Sequence, residues 1–273
     1  MPPRNATKAG WGPRLYPWPP PPVEPDLWVP SATSVLAVID KPAIAGWKVK
    51  NVAKGAIAMH NNGSLAALVA QDEGMAEAAL KNSWKTDLDA ASAAGTLVHD
   101  RLEALIKGAP PPVMTPAAEQ VFTRLQGLIR DYNVVFLHSE CAVYGLTPGL
   151  EWAGTLDAIV EMDVPGRGRR CLVADLKTGK GVYDEACFQV GGAYSHADKL
   201  VTGDDGTIID MPKVDGAVVF HVRQDFARVI PVAADDTAYA AFMAARTIWR
   251  IQHDKEWTAV FAPLPASSKG DER

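Results

Sequence analysis

Hydrophobic positions recur at helical spacing in one set of segments and at strand spacing in another. The helical segments are residues 44–60, 64–81, 90–107, 117–132, 184–200 and 237–253. The segments with strand character are residues 134–146, 152–163, 169–178, 216–222 and 228–232. Because strands and helices interleave along the chain, the pattern predicts an α/β domain. It would contain a mixed β-sheet flanked by helices and a helical N-terminal region.

Two consecutive strands of this pattern carry the charged residues that stand out most. Residues 154–157 read Gly-Thr-Leu-Asp and residues 175–179 read Asp-Leu-Lys-Thr-Gly, with turn residues between the two strands at 164–168. Strand side chains alternate between faces, so Asp175 and Lys177 are expected on one face. An antiparallel register would place Asp157 across from them. The sequence therefore predicts a β-hairpin with acids on both strands.

Two aspartates and a lysine can support phosphodiester chemistry. Oxygen ligands suit Mg²⁺ or Mn²⁺, and a backbone carbonyl beside the aspartates would leave positions open for water and phosphate. The lysine could orient or deprotonate the attacking water, or offset the charge that grows on the phosphate. A hairpin with Asp on its solvent face and Lys nearby is also common surface decoration, so both interpretations stand at this point.

Three further features lie near this hairpin in the predicted fold. The helix at 90–107 has an apolar stripe, with Asp87 or Asp89 as N-cap, and it carries His99 and Glu103 on one face. The stripe of this helix consists of Leu97, Val98, Leu102, Leu105 and Ile106. The second feature is Glu140, near which the strand that leads into the hairpin begins.

The third feature is the helix predicted at 184–200, which carries Gln189 and Tyr194 among small residues. Small residues such as Gly191 and Gly192 let another backbone or a ligand approach closely, although each glycine weakens a helix by about 1 kcal/mol relative to alanine. The segment therefore predicts either a ligand contact or a helix packed tightly on the sheet.

The order of these motifs resembles the RecB-type nuclease domain of the PD-(D/E)XK superfamily, and most of all the exonucleases of this group that bacteriophages encode. The resemblance covers residues 30–232. It rests on residues 95–99 (Gly-Thr-Leu-Val-His) with Leu102 and Glu103, then Glu140, residues 154–157, residues 175–179, and Gln189 with Tyr194. Residues 30–36, residues 40–42 and Trp47 extend it toward the N-terminus.

The resemblance implies a restriction-endonuclease-like core and a metal-dependent DNA exonuclease. His99, Asp157 and Asp175 would bind Mg²⁺ or Mn²⁺, and the Leu176 carbonyl would be a further ligand. Lys177 would be the catalytic lysine, acting with the two aspartates. Glu103 and Glu140 would lie beside the ligands as additional acids.

The resemblance also implies which residues contact DNA. Gln189 and Tyr194 would do so, and the basic residues near the hairpin and the site, Lys180, Arg169 and Arg170, are further candidates. The family spaces this glutamine and tyrosine four residues apart, whereas here the interval is five. In a regular α-helix that interval turns Tyr194 off the face of Gln189, unless the two glycines permit a π-bulge.

The partners and setting follow from the same resemblance. We expect DNA with a free end as substrate, a single-strand annealing protein as a possible partner in phage recombination or replication, and an oligomer as a possible state. Relatives with an iron–sulfur cluster use four cysteines, but this chain has three, Cys141, Cys171 and Cys187, so no cluster is expected. The odd number of cysteines and the lack of a secretory signal fit the cytoplasm.

Composition fits one globular domain with no membrane span. The chain has 273 residues, of which 48% are hydrophobic, and a net charge of −5. An acidic total opposes DNA binding in general, but binding depends on local potential, and acids at a metal site contribute to that total. We expect a proline- and tryptophan-rich extended segment without packed elements at 1–30, a nuclease domain at 31–265 and a polar tail at 266–273.

Other functions remain open from the residues alone. The chain could be a nucleic-acid-binding protein that keeps the nuclease fold without catalysis, although His99, Asp157, Asp175 and Lys177 are all present. It could also be a DNA endonuclease, or a metal-dependent hydrolase of small phosphoesters. Nuclease tests on linear and circular DNA would separate these possibilities.

Overall fold

A seven-stranded mixed β-sheet forms the centre of the protein. The computed structural model describes residues 13–202 and 206–253, and for residue 43 and residues 86–92 it describes the backbone alone. The strands are β3 (Val135–Gly145), β4 (Trp152–Val164), β5 (Gly168–Lys177), β6 (Lys199–Thr202), β7 (Thr207–Asp210), β8 (Gly216–Val222) and β9 (Ala227–Val232). Their order is β7-β6-β3-β4-β5-β8-β9, and only β5 and β8 pair in parallel.

Strands β4 and β5 form the predicted hairpin at the middle of the sheet. Their ladder runs from Val164–Gly168 at the turn to Ala158–Ala174. Gly166 and Gly168 in the turn have positive φ angles of 73° and 72°, a conformation that glycine adopts without steric cost. The turn chemistry and the apolar alternation thus fix the register that the sequence predicted.

Helices cover both faces of this sheet, as predicted. One face packs against α5 (Lys85–Lys107) and α6 (Pro116–Asp131), through buried Val98, Phe122 and Leu125. The other face packs against α1 (Ala32–Val35), α8 (Asp236–His253) and a π-helical turn at Phe188–Ala193. The predicted class is confirmed: an α/β fold with a mixed sheet flanked by helices, consistent with a restriction-endonuclease-like core.

A helical N-terminal region precedes the sheet, as expected, but two of its details differ from the prediction. It contains α2 (Pro42–Asn61), α3 (Ser64–Gln71) and α4 (Glu73–Asn82). The predicted single helix at 64–81 breaks at Asp72, whose side chain caps α4 by accepting from the Met75 backbone N–H at 3.1 Å. Helix α5 begins at Lys85, so Asp87 and Asp89 lie inside it and the prediction that either is its N-cap is wrong.

The described part of residues 1–30 is packed, which corrects the prediction that this extended segment contains no packed element. It forms an antiparallel pair of strands, β1 (Leu15–Trp18) and β2 (Leu27–Pro30). Tyr16 and Val29 point inward and are 1% exposed, because apolar side chains in both strands alternate toward the main sheet. The prolines at 19–22 make the connection between the strands. The predicted tail at 266–273 lies outside the described residues.

The chain after β5 departs most from the predicted helix at 184–200. It forms a short α7 (Asp184–Cys187), then the π-helical turn, then a 3-10 turn at Tyr194–His196. Lys199 already belongs to β6, so the end of the predicted helix is a strand. Strands β6 and β7 have four residues each, too few for a clear period in the sequence.

The structure contains no helix, within the residues it describes, that is long and apolar enough to cross a bilayer.

The π-helical turn packs so closely on α8 and on the segment that precedes α8 that its glycines are required. A Cβ on Gly191 would overlap the carbonyl oxygen of Ala233. We expect Gly191→Ala to destabilise the protein by about 1–3 kcal/mol, because the contact is with backbone that cannot rotate away. Gly127→Ala on α6 is the matched control, since a Cβ added there would lie 3.9 Å from the end of the Arg130 side chain, an ordinary van der Waals contact.

The control should raise stability by about 0.5–1 kcal/mol, the usual gain for alanine over glycine in a helix. Thermal unfolding of both variants measures the difference. Equal unfolding temperatures for Gly191→Ala and the unchanged protein would contradict the packing described.

Candidate active site

The candidate site forms where β4 and β5 separate. Beyond the Ala158–Ala174 pair the backbone ladder ends, and the Asp157 carboxylate takes the place of a backbone acceptor. Its Oδ2 accepts a hydrogen bond from the Leu176 backbone N–H at 2.7 Å. Charge-assisted bonds of this kind are strong and fix the carboxylate in one orientation. Asp157 is therefore held in the gap between the two strands.

His99 reaches the same gap from α5. Its Nε2 lies 3.1 Å from the Leu176 carbonyl oxygen, and its Nδ1 lies 3.7 Å from Asp157 Oδ2. The helix comes close here because Gly95 has no side chain. A Cβ at this position would lie 2.9 Å from the Thr178 hydroxyl oxygen. The predicted involvement of His99 thus rests on a helix that the small residue lets approach the end of β5.

Glu140 joins these residues from β3. It lies opposite Asp157, between the pairs Ser139–Ala158 and Cys141–Leu156. Ligand atoms of His99, Glu140 and Asp157 all lie within 4.8 Å of one another. Glu140 was expected only as an acid beside the ligands, so its membership of this compact group is a structural finding.

The backbone of Glu140 is strained. Its φ is +50°, in the left-handed region that residues with a Cβ avoid at a cost of about 1–2 kcal/mol. Strands do not ordinarily contain such a residue, and nothing in the sequence signals it. The conformation aims the carboxylate at the group formed with His99 and Asp157.

Asp175 and Lys177 form an ion pair beside this group. Lys177 Nζ lies 2.6 Å from Asp175 Oδ2, which confirms that the two share one face of β5. Asp175 is only 3% exposed. Burial and the neighbouring Asp157 raise its pKa, although Lys177 opposes the shift. Burial disfavours the charge on Lys177, but Asp175 and Asp157 outweigh it and the pKa of Lys177 is raised.

Glu140 is also an acid with perturbed protonation. Burial, followed by the charges of Asp157 and Glu103, raises the pKa of Glu140 to about 7. Glu103 lies on α5, where it pairs with Lys107 at 2.6 Å. Glu140 thus feels the charge of Asp157 on one side and that of Glu103 on the other, so several acids influence one another around the site.

The donor set suits a hard divalent cation. Three carboxylates, a backbone carbonyl and an imidazole are ligands that Mg²⁺ and Mn²⁺ accept. The hydrogen bond between His99 Nε2 and the Leu176 carbonyl oxygen, at 3.1 Å, leaves Nδ1 as the imidazole nitrogen that faces Asp157. Asp175 Oδ2 is already contacted by Lys177 Nζ at 2.6 Å, so a cation bound by this oxygen would share it with the lysine.

Gln189 and Tyr194 are brought together despite their five-residue spacing. The π-helical turn at Phe188–Ala193 widens the helix, so residues five apart share a face. Gln189 Nε2 donates to the Tyr194 hydroxyl at 2.6 Å. Tyr194 is 3% exposed and packs against Gly154, so its expected direct contact with DNA is not supported. It instead holds Gln189 in place.

The basic residues predicted to contact DNA do not all lie at the site. Lys180 is exposed in the loop that follows Lys177. Arg169 and Arg170 lie at the opposite end of β5, about 17 to 20 Å from Asp175, because a strand rises about 3.3 Å per residue. Arg169 is also engaged by Glu161 at 3.2 Å and Asp163 at 3.3 Å. The structure therefore separates these two arginines from the site.

His221 is a positioning residue that the sequence did not reveal. It is fully buried on β8 opposite Lys177, and its Nε2 lies 2.9 Å from the Gly179 carbonyl oxygen. Arg228 donates to its Nδ1 at 3.0 Å, which leaves the proton on Nε2 for Gly179. This chain of bonds holds the loop after Lys177, and only the parallel pairing of β5 and β8 brings it together.

Comparison with known proteins adds no relative: no protein-family model matches the chain, and no curated protein matches it.

The raised pKa of Glu140 makes a prediction about stability and pH. In the folded protein the pKa of Glu140 is about 7, against 4.5 for a free glutamate. Its contribution to the free energy of unfolding is therefore fully present below about pH 4.5 and is lost as the pH rises through 7. We expect Glu140→Gln to unfold at a higher temperature than the unchanged protein at pH 8 in EDTA. The gain should be roughly 1 kcal/mol, since partial solvation screens the charge.

Near pH 4.5 the two proteins should unfold alike. Glu161→Gln is the control, because it removes a carboxylate that forms a surface ion pair with Arg169. It should leave stability at pH 8 unchanged or slightly lower. A Glu140→Gln variant less stable than the unchanged protein at pH 8 would refute the stated burial of this charge.

Proposed function

We propose that this protein is a divalent-metal-dependent deoxyribonuclease, and that it acts as an exonuclease on DNA ends. The observation that carries the proposal is the convergence of His99, Glu140 and Asp157 within 4.8 Å, beside the Asp175–Lys177 ion pair. The acids of this set lie close together on the middle strands of the sheet, and a charged lysine lies beside them. A surface hairpin whose acids only face solvent would not require a buried aspartate or a strained glutamate.

Each residue of the site would have a separate role in the proposed reaction. His99, Glu140, Asp157, Asp175 and the Leu176 carbonyl would hold Mg²⁺ or Mn²⁺. When bound, the cation would acidify a water molecule and offset negative charge on the phosphate. Asp157 is oriented by the Leu176 N–H, and His99 is oriented by the Leu176 carbonyl. Both partners come from one residue, so a shift of β5 would misplace both side chains.

The charge state of Lys177 indicates its role. Its raised pKa means that it is protonated at neutral pH, so it serves as a cation and not as a base. An ammonium held by Asp175 can position the attacking water or stabilise charge on the phosphate oxygens. Gln189, held by Tyr194, would be a further contact to the substrate. The exposed Lys180 is a further candidate phosphate contact.

The biological setting is part of the proposal and rests on the family resemblance. We place the enzyme in the cytoplasm of a bacterial host, in phage recombination or replication. A single-strand annealing protein is a suitable partner, because an exonuclease produces the single strands that such a protein binds. A DNA endonuclease, or a silent DNA-binding protein with this fold, are the alternatives that the following experiment separates.

The test is digestion of end-labelled linear duplex beside closed circular DNA, in Mg²⁺, in Mn²⁺ and in EDTA. We expect loss of the linear form only, and only with metal. Asp175→Asn and Lys177→Met should each reduce the rate by about 100- to 1000-fold, because each removes charge aimed at the reacting phosphate. Asp163→Asn, an acid at the far end of the same hairpin, should cut at the normal rate.

The other outcomes are equally informative. Nicking of the circle would identify an endonuclease. Cleavage in EDTA, or full activity in folded Lys177→Met, would contradict the mechanism. Absence of cleavage together with tight DNA binding would favour the silent binding protein.

A further inference from the structure

Helix α2 is a basic surface that starts beside the candidate site. Residues 41–71, which span α2 and α3, contain four lysines and no Asp or Glu. Acids make up 32 of the 273 residues of the chain, so about four would be expected in a segment of this length. A local excess of positive charge in an acidic protein indicates a surface for a negatively charged partner.

The lysines of α2 are exposed. Lys48 stacks over the Trp84 ring at 4.6 Å, and Trp47 packs edge-on against the same ring at 6.2 Å. These contacts fix the orientation of α2 against the start of α5. Lys50 and Lys54 lie one turn apart on the solvent side, and neither has an ion pair among the described residues. Their charges are therefore available to a partner.

The beginning of α2 is tied to the site. Lys41 Nζ lies 2.9 Å from Glu185 Oε2 on α7, and Glu185 also contributes to the raised pKa of Lys177. An α-helix rises 1.5 Å per residue, so Lys54 lies about 20 Å along the helix from Lys41. That distance corresponds to about six base pairs of duplex.

We infer that α2 binds the phosphate backbone of the DNA about four to six base pairs from the site, through Lys50 and Lys54. This inference rests on the proposed function and identifies where the remainder of the substrate lies. The same helix also exposes Val49 (71%) and Ile57 (62%), which a protein partner would bury. The lack of acids favours DNA over a two-fold symmetric dimer through this face, because such a dimer would bring lysines toward lysines.

The inference predicts an effect that depends on DNA length. Binding is measured by fluorescence anisotropy in EDTA, with hairpin-closed duplexes of about 3 and about 16 base pairs, so that cleavage plays no part. We expect Lys50→Glu/Lys54→Glu to bind the long duplex about 10-fold more weakly or worse, with a shallower dependence on salt. The short hairpin does not reach these lysines and is the internal reference.

Matched variants control for charge and folding. Arg167→Glu/Lys213→Glu makes the same charge change at the end of the sheet away from Asp175, and it should bind both duplexes normally. Lys50→Arg/Lys54→Arg should restore binding of the long duplex. If the charge reversal prevents folding, Lys50→Ala/Lys54→Ala serves in its place with a smaller loss.

Three results would overturn the inference: an equal loss for both duplex lengths, the same loss in the Arg167/Lys213 control, or no loss at all. A dimer that Val49→Glu/Ile57→Glu dissociates, with DNA affinity unchanged, would instead assign this face to a second copy. The binding assay is independent of cleavage. If the protein does not digest DNA but its binding still depends on duplex length, the proposed nuclease function is rejected and the DNA-binding surface on α2 is retained.

Discussion

The hydrogen bond from the Leu176 N–H to Asp157 is the interaction on which the candidate site depends. It lets β4 and β5 separate without leaving a buried backbone donor unpaired, which would cost about 1–3 kcal/mol. The same residue offers its carbonyl oxygen to His99 on the other side. One peptide segment of β5 therefore orients an acid from the neighbouring strand and an imidazole from a helix.

Several acidic side chains lie close together around this segment, and their negative charges repel one another unless a cation or a proton compensates them. Asp175 is paired with Lys177, while the half-buried Glu140 carries a raised pKa and a strained backbone. Such features reduce the stability of the metal-free protein, and natural proteins keep them mainly where function needs them. A bound divalent cation would compensate both the repulsion and the desolvation. Stability and metal affinity should consequently be coupled in this protein.

The sequence predicted the sheet, most helices and the face shared by Asp175 and Lys177, because alternation and helical periodicity are local signals. It did not predict the left-handed Glu140 or the chain of bonds through His221, since each depends on which strands become neighbours. The sequence also did not predict β6 and β7, because these strands are too short to show a clear hydrophobic period. Arg169 was assigned to the site by closeness in sequence, although the length of β5 separates it from Asp175. The glycine pair before Tyr194 did signal the π-helical turn.

The central claim is that His99, Glu140 and Asp157 hold one divalent cation. The most direct test is an anomalous difference map from crystals grown with Mn²⁺, for the unchanged protein and for Asp157→Asn. The account predicts one strong peak among these three side chains, about 2.2 Å from their ligand atoms, which the substitution weakens or removes. A map without a peak there, at Mn²⁺ concentrations that support cleavage of DNA, would contradict it.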